Sequence, residues 1–72
     1  MDILEQLQDL GLNEKEARVY LALLPMRKAT AYMLSLKSGL KKSTTYMVLE
    51  NLLNKGFILK TPDINKAFYI AK

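Results

Sequence analysis

The sequence predicts a mainly α domain with a small β-hairpin, on three observations. Four stretches between residues 2 and 55 set apolar side chains at helical spacing. Each stretch is punctuated by a capping polar residue, a glycine or a proline. After Gly56 the pattern changes to two short runs of aromatic and branched residues separated by turn-forming ones.

The first helix covers residues 2 to 10, with Ile3, Leu4, Leu7 and Leu10 on one side, Asp2 as its cap and Gly11 as its left-handed stop. Asn13-Glu14-Lys15-Glu16 is a variant of the capping box. The Asn13 side chain accepts from the first turn while Glu16 reaches back, so the second helix starts at Glu14. Ala17, Tyr20, Leu21 and Leu24 form its expected buried stripe, and Pro25 ends it by disfavouring helical geometry in the residue before. Arg27-Lys28-Ala29 reads as a polar connector. Thr30 caps a third helix carrying Ala31, Met33, Leu34 and Leu36, stopped by Gly39.

Lys41-Lys42-Ser43-Thr44 opens the fourth helix, about 42 to 55, with Thr45, Val48, Leu49 and Leu52 facing inward and Gly56 beyond its end. Two helices joined by a tight glycine turn are a helix-turn-helix. Phe57-Ile58-Leu59-Lys60 and Ala67-Phe68-Tyr69-Ile70 then form a hairpin over about 57 to 71, looped by Thr61 to Lys66, which completes a winged helix-turn-helix. No repeat, linker or low-complexity tract interrupts residues 1 to 72, which are expected to be a single domain.

Seventy-two residues bury only about 60% of the surface the unfolded chain exposes, so every helix must share one thin core. The chain has no cysteine, which removes disulfides and thiolate metal sites and points to an intracellular, cytoplasmic protein. Histidine is absent too, and with it the commonest general base and metal ligand. The carboxylate pairs Glu14 with Glu16 and Asp2 with Glu5 are explained by placement near helix starts, and no nucleophile, base and oxyanion donor can be assembled around them. No catalytic residue, cofactor or metal is expected, and the chain is expected not to be an enzyme. Apolar runs such as Val19 to Met26 are too short for a bilayer, and the first residues lack the basic flank of a signal peptide.

Charge supplies the positive lead. The formal net charge is +4, yet residues 1 to 16 hold Asp2, Glu5, Asp9, Glu14 and Glu16 against Lys15 alone. The remainder holds every other Lys and Arg against Glu50 and Asp63, which suits a polyanionic partner.

Leu10-Gly11-Leu12-Asn13-Glu14-Lys15-Glu16-Ala17-Arg18-Val19-Tyr20-Leu21-Ala22-Leu23-Leu24 resembles the opening of the TrmB-like winged-helix regulators. The resemblance continues through Ala29-Thr30-Ala31, Ser38-Gly39-Leu40, Lys42-Ser43-Thr44-Thr45-Tyr46, Val48-Leu49-Glu50-Asn51-Leu52 and Lys55-Gly56-Phe57-Ile58, nearly the whole chain. It implies a transcription regulator that binds double-stranded DNA, with the fourth helix as recognition helix. It also implies dimers on two half-sites and a further C-terminal part for dimerisation and effector sensing. The chain is therefore expected to be a reading head cut from such a regulator or a minimal stand-alone one, with no effector site of its own. Where the family commonly has proline then arginine, this chain has Lys41 and Lys42, and Thr45 replaces a usual valine. Lysine keeps the charge but loses the planar, bidentate donation that reads guanine.

In such a fold the N-terminal part of the second helix of the motif points to base edges in the major groove. If Thr45, Val48, Leu49 and Leu52 face inward, Ser43, Thr44, Tyr46 and Met47 turn outward as candidates for base and phosphate contact. Lys41, Lys42, Lys60 and Lys66 are the candidate phosphate contacts in the turn, the helix start and the wing. Asp63 opposes Lys66, so the wing contact is expected to be weak. Hydroxyls at helix starts are most often caps, which is the plain alternative for Ser43, and Tyr46 has core as its alternative. Ile3 and Leu7 either cover the core or pack against a second copy.

The competing class is a winged-helix protein–protein interaction module, with Met26, Met33, Met47 and Leu53 as adaptable contacts. The lysine pair at the start of the fourth helix argues against it, because interface centres are depleted in lysine. RNA binding is a smaller alternative, since Phe57, Phe68 and Tyr69 read as core rather than as a stacking platform.

Overall fold

A computed structural model describes residues 3–62 and 66–72. Helices α1 (Ile3–Asp9), α2 (Glu14–Leu23), α3 (Ala31–Ser38) and α4 (Lys42–Lys55) are accompanied by a three-stranded antiparallel sheet. Its strands are β1 (Lys28–Ala29), β2 (Ile58–Lys60) and β3 (Tyr69–Ala71), in the spatial order β1-β3-β2. The expectations for Asp2 as a cap and for Asp63 in the wing loop fall outside the described residues.

Local chemistry starts and stops the helices much as expected. Glu16 N–H donates to Asn13 Oδ1 at 2.8 Å and Asn13 N–H donates to Glu16 Oε1 at 3.0 Å, closing the reciprocal box that opens α2. Thr30 Oγ1 accepts from Met33 N–H at 3.2 Å at the start of α3. Gly39 at φ 75° and Gly56 at φ 81° end α3 and α4 in the left-handed region that a Cβ disfavours.

One core is shared by helices and sheet. Leu7 of α1, Val19 and Leu23 of α2, Leu34 of α3, Leu49 and Leu52 of α4, Ile58 of β2 and Tyr69 of β3 are buried together. Each fully buried aliphatic side chain contributes about 1.5–3 kcal/mol. Thr45, Val48, Leu49 and Leu52 are the buried residues of α4, as its spacing predicts. Thr45 is tolerated there because its hydroxyl donates to the Lys41 carbonyl at 2.9 Å.

Four expectations need correction. The buried stripe of α2 is Glu16, Ala17, Val19, Ala22 and Leu23; Leu24 is 41% exposed, and Tyr20 and Leu21 are half-buried. The chain also passes Pro25 without leaving helical turns, through a 3₁₀ turn over Leu24–Met26. A tighter turn accepts proline near its start, where no backbone donor is required. Arg27-Lys28-Ala29 is more than a connector: Lys28 and Ala29 pair with Ile70 and Tyr69, so the hairpin is part of a sheet. Arg27 makes the bend into β1 at φ 66°, the one positive φ of a non-glycine among the described residues. Ile3 and Leu10, expected on the inward side of the first helix, are exposed; that side is Leu7 with half-buried Leu4.

Lys55 fastens the end of α4 to the opening of α2. Its Nζ donates to Glu16 Oε1 at 2.7 Å and to the Gly11 carbonyl at 2.9 Å. Burial pushes the Glu16 carboxyl up. The hydrogen bonds from Lys55, the Asn13 backbone and Asn51, with the charge of Lys55, outweigh that and hold it below its ordinary value.

Candidate nucleic-acid interface

The start of α4 lacks the cap that its hydroxyls suggest. Lys41 occupies the cap position and its side chain makes no capping bond, so Ser43 lies inside the first turn, exposed. Helical geometry turns Ser43, Met47 and Glu50 to one side, opposite Val48 and Leu52, and all three are exposed. Tyr46 is 50% exposed, so it is surface rather than core. Thr44 is half-buried at the flank.

Four lysines surround this face. Lys41, Lys42, Lys60 and Lys66 are exposed, and among the described residues the ion pair formed is the distant one between Lys55 and Glu16. Lys42 and Lys66 share an open cleft of about 340 Å³ between α4 and the sheet. Tyr46 lines it from α4, Ala67 and Tyr69 line it from the approach to and start of β3, and Thr30, Ala31 and Tyr32 close it from the head of α3. Lys60 is next to the cleft, its ammonium 6.0 Å from the Tyr69 ring centroid. Ser43, Thr44, Met47 and Lys41 lie on or beside α4 without lining the cleft.

The hairpin is paired at its base. Leu59 pairs with Ile70 and Lys60 with Tyr69, and beyond them Thr61 N–H donates to the Phe68 carbonyl at 2.9 Å while Phe68 N–H donates to Thr61 Oγ1 at 3.1 Å. Burial pushes the Tyr69 phenol above its ordinary pKa, with Tyr46 and Glu50 adding to the rise, so it stays neutral at physiological pH.

Three features of this face lie outside the expectations from sequence, two of them with no local signal. Tyr32 is 59% exposed and faces Lys42, whose ammonium is 6.0 Å from its ring centroid. Lys28, a connector residue by sequence, stands over the Phe68 ring at 5.1 Å. Glu50 places a carboxylate on the outer side of α4, a second turn beyond the lysines. For the last of these the i, i+3 and i+4 spacing of Ser43, Met47 and Glu50 is a signal the sequence does carry.

Four helices, the last two joined by a glycine turn, and a small antiparallel sheet define a winged helix-turn-helix protein. The chain belongs to the TrmB family, described as sugar-specific transcriptional regulators, which it matches over residues 7–72. It is a TrmB-like winged-helix DNA-binding domain. It is similar to the uncharacterised protein YrhO of Bacillus subtilis strain 168, with 40% identity over 55 residues, 76% of this chain and 20% of that protein. It is also similar to the sugar-sensing transcriptional regulator TrmBL1 of Pyrococcus furiosus, with 37% identity over 57 residues, 79% of this chain and 17% of that one. The chain thus spans about a fifth of the length of these relatives.

Among solved structures, it resembles TrmBL2, an archaeal chromatin protein described as showing a novel mode of DNA binding. The TM-score is 0.83 at 34% identity, over 96% of this chain and 26% of that one. A MarR family transcriptional regulator from Silicibacter pomeroyi DSS shares the fold alone, with a TM-score of 0.82 at 18% identity over 97% of this chain and 48% of its own. No helix among the described residues is long and apolar enough to cross a membrane.

Proposed function

We propose that residues 1 to 72 act as the single reading head of a transcription regulator and bind double-stranded DNA sequence-specifically. In this reading α4 enters the major groove and the β2–β3 hairpin rests on the backbone. The observation that carries it is the open basic face: Lys41, Lys42, Lys60 and Lys66 are exposed beside the outward side of α4, with no carboxylate within 4 Å among the described residues. Ser43, Tyr46 and Met47 are the base-reading candidates, a hydroxyl for hydrogen bonds, a ring and a thioether for apolar edges such as the thymine methyl. Thr44, half-buried, serves the backbone side. Glu50 bounds the footprint, since a carboxylate accepts only from a base amino group such as that of cytosine and repels phosphate.

Regulation without catalysis fits the family, whose description is that of transcriptional regulators. Two copies would engage half-sites about 34–36 Å apart, as dimeric helix-turn-helix proteins do. Sugar sensing, which the family description and the name of TrmBL1 carry, is assigned to whatever part of a longer regulator accompanies this head.

The test is an anisotropy titration of labelled duplex at several salt concentrations, with wild type beside a Lys42→Ala, Tyr46→Ala double variant. Four phosphate contacts give a log–log salt slope of roughly −3.6, and loss of Lys42 makes it shallower by about 0.9. No binding at low salt, or binding indifferent to both residues, would overturn the reading. The interaction-module alternative, which has exposed Met33 and Leu36 in its favour, would then take its place.

A further inference from the structure

The cleft beside α4 has the wrong chemistry for a bare anion and the right chemistry for a sugar joined to one. Its volume of about 340 Å³ sits at the low end of the roughly 300–1,000 Å³ of small-ligand sites, more than an isolated phosphate needs. Its lining is mixed. Lys42 and Lys66 supply positive charge at opposite walls, one on α4 and one on the approach to β3. Ala31, Ala67, Tyr32 and Tyr46, which also line it, supply apolar surface.

We infer that this cleft seats one deoxyribose-phosphate unit of the DNA backbone, with Tyr32 as a contact residue; the inference rests on the reading of the chain as a DNA binder. The phosphate of the unit takes the Lys42 ammonium, and the Lys66 ammonium on the facing wall takes the phosphate on the other side of the sugar; neither lysine has a carboxylate partner among the described residues. The sugar packs on the alanines and tyrosine rings. Tyr32 also acts on its neighbour, because its ring faces the Lys42 ammonium and holds that flexible side chain over the cleft by a cation–π contact. Tyr69, which also lines the cleft, has its phenol pushed above the ordinary pKa by burial and so adds no repelling phenolate there. A seat built from α3, α4 and the wing together fixes the register of α4 along the groove, because backbone contacts position a protein on the duplex while base contacts specify the sequence.

The experiment uses amide NMR spectra of the chain with four probes: 2-deoxyribose 5-phosphate, deoxyribose, inorganic phosphate and a mixed-sequence duplex. The sugar phosphate is expected to shift Ala31, Tyr32, Lys42, Tyr46 and Ala67 saturably, and more tightly than either half alone. Tyr32→Ala, a surface change that leaves the fold intact, is expected to weaken it roughly two- to fivefold. The duplex should move the same amides and displace the sugar phosphate. Shifts that never saturate, or that spread equally to Lys37 and Lys72, would refute the seat. A duplex that perturbs the outer side of α4 but leaves the cleft amides in place would refute it while the groove reading survives. A sugar phosphate that saturates the cleft undisturbed by bound duplex would make this a small-metabolite site and also overturn the inference. Absence of duplex binding at low salt would remove the groove reading and the seat together.

Discussion

Replacing Lys55 with methionine should separate the hold on α4 from everything else in the domain. The substitution keeps the apolar stem of the side chain and deletes the ammonium, leaving the Glu16 carboxylate, which is 2% exposed, with only the Asn13 backbone and Asn51 as donors. Hydrogen bonds to charged groups contribute about 1.5–3 kcal/mol. The Lys55 side chain is 41% exposed, which screens the pair, so the expected loss is about 1–2 kcal/mol. A domain of this length has on the order of 4–11 kcal/mol in total, and 1 kcal/mol moves its midpoint by about 4–8 °C, so Tm should fall by roughly 4–16 °C.

The pH dependence sharpens the test. The folded-state pKa of Glu16 is depressed, so its contribution is present above the unfolded value of about 4.3 and is lost as pH falls through the folded value. Without Lys55, burial is less opposed and the carboxyl rises. The deficit between variant and wild type should thus be largest at neutral pH and narrow below about pH 4. Thermal unfolding followed by circular dichroism from pH 7 to pH 3 reads both quantities. Equal midpoints at pH 7, or a deficit that stays constant across the range, would refute the account of the pair.

Other changes probe the local geometry. Gly39→Ala should cost about 1–2 kcal/mol in a urea titration from its φ of 75° alone, since an added Cβ would meet nothing within 4 Å. Thr30→Ala should remove the α3 cap for about 0.5–2 kcal/mol, and the loss of the Met33 N–H bond should appear as faster amide exchange there. Leu23→Ala should cost about 2–5 kcal/mol, whereas Leu24→Gln should stay within about 0.5 kcal/mol, a contrast that reverses if α2 is rotated by one residue.

That contrast also marks where the sequence was legible. In α4, Glu50 and Asn51 interrupt the apolar run and Lys42, Ser43 and Thr44 precede it, which favours the helical phase that buries Thr45, Val48, Leu49 and Leu52, and the structure adopts it. In α2 the unbroken run from Val19 to Leu24 satisfies several phases equally. The choice is made by Glu16, whose burial depends on a lysine 39 residues away and is invisible to local spacing. The caps at Asn13 and Thr30 and the stops at Gly39 and Gly56 were readable because each acts on its own turn. Strand β1 was not, since two residues become a strand only through partners on β3. The outward residues of α4 were legible for the same reason as its inward ones, but the cleft needed the fold to bring Tyr32 and Lys66 to Lys42.

The central position of β3 also sets an order of assembly. Its pairing with β2 closes a short loop of about ten residues, while its pairing with β1 closes one of about forty, an extra entropic cost of about 1.2 kcal/mol. The hairpin therefore zips first and is moored second, through just two residue pairs, Lys28 with Ile70 and Ala29 with Tyr69. Two residue pairs alone would open readily, but Ala29 and Tyr69 are both buried in the shared core, which holds the mooring closed. The wing is thereby tied to the head of α3, and a swing of the hairpin at its base would open the helical core along with it.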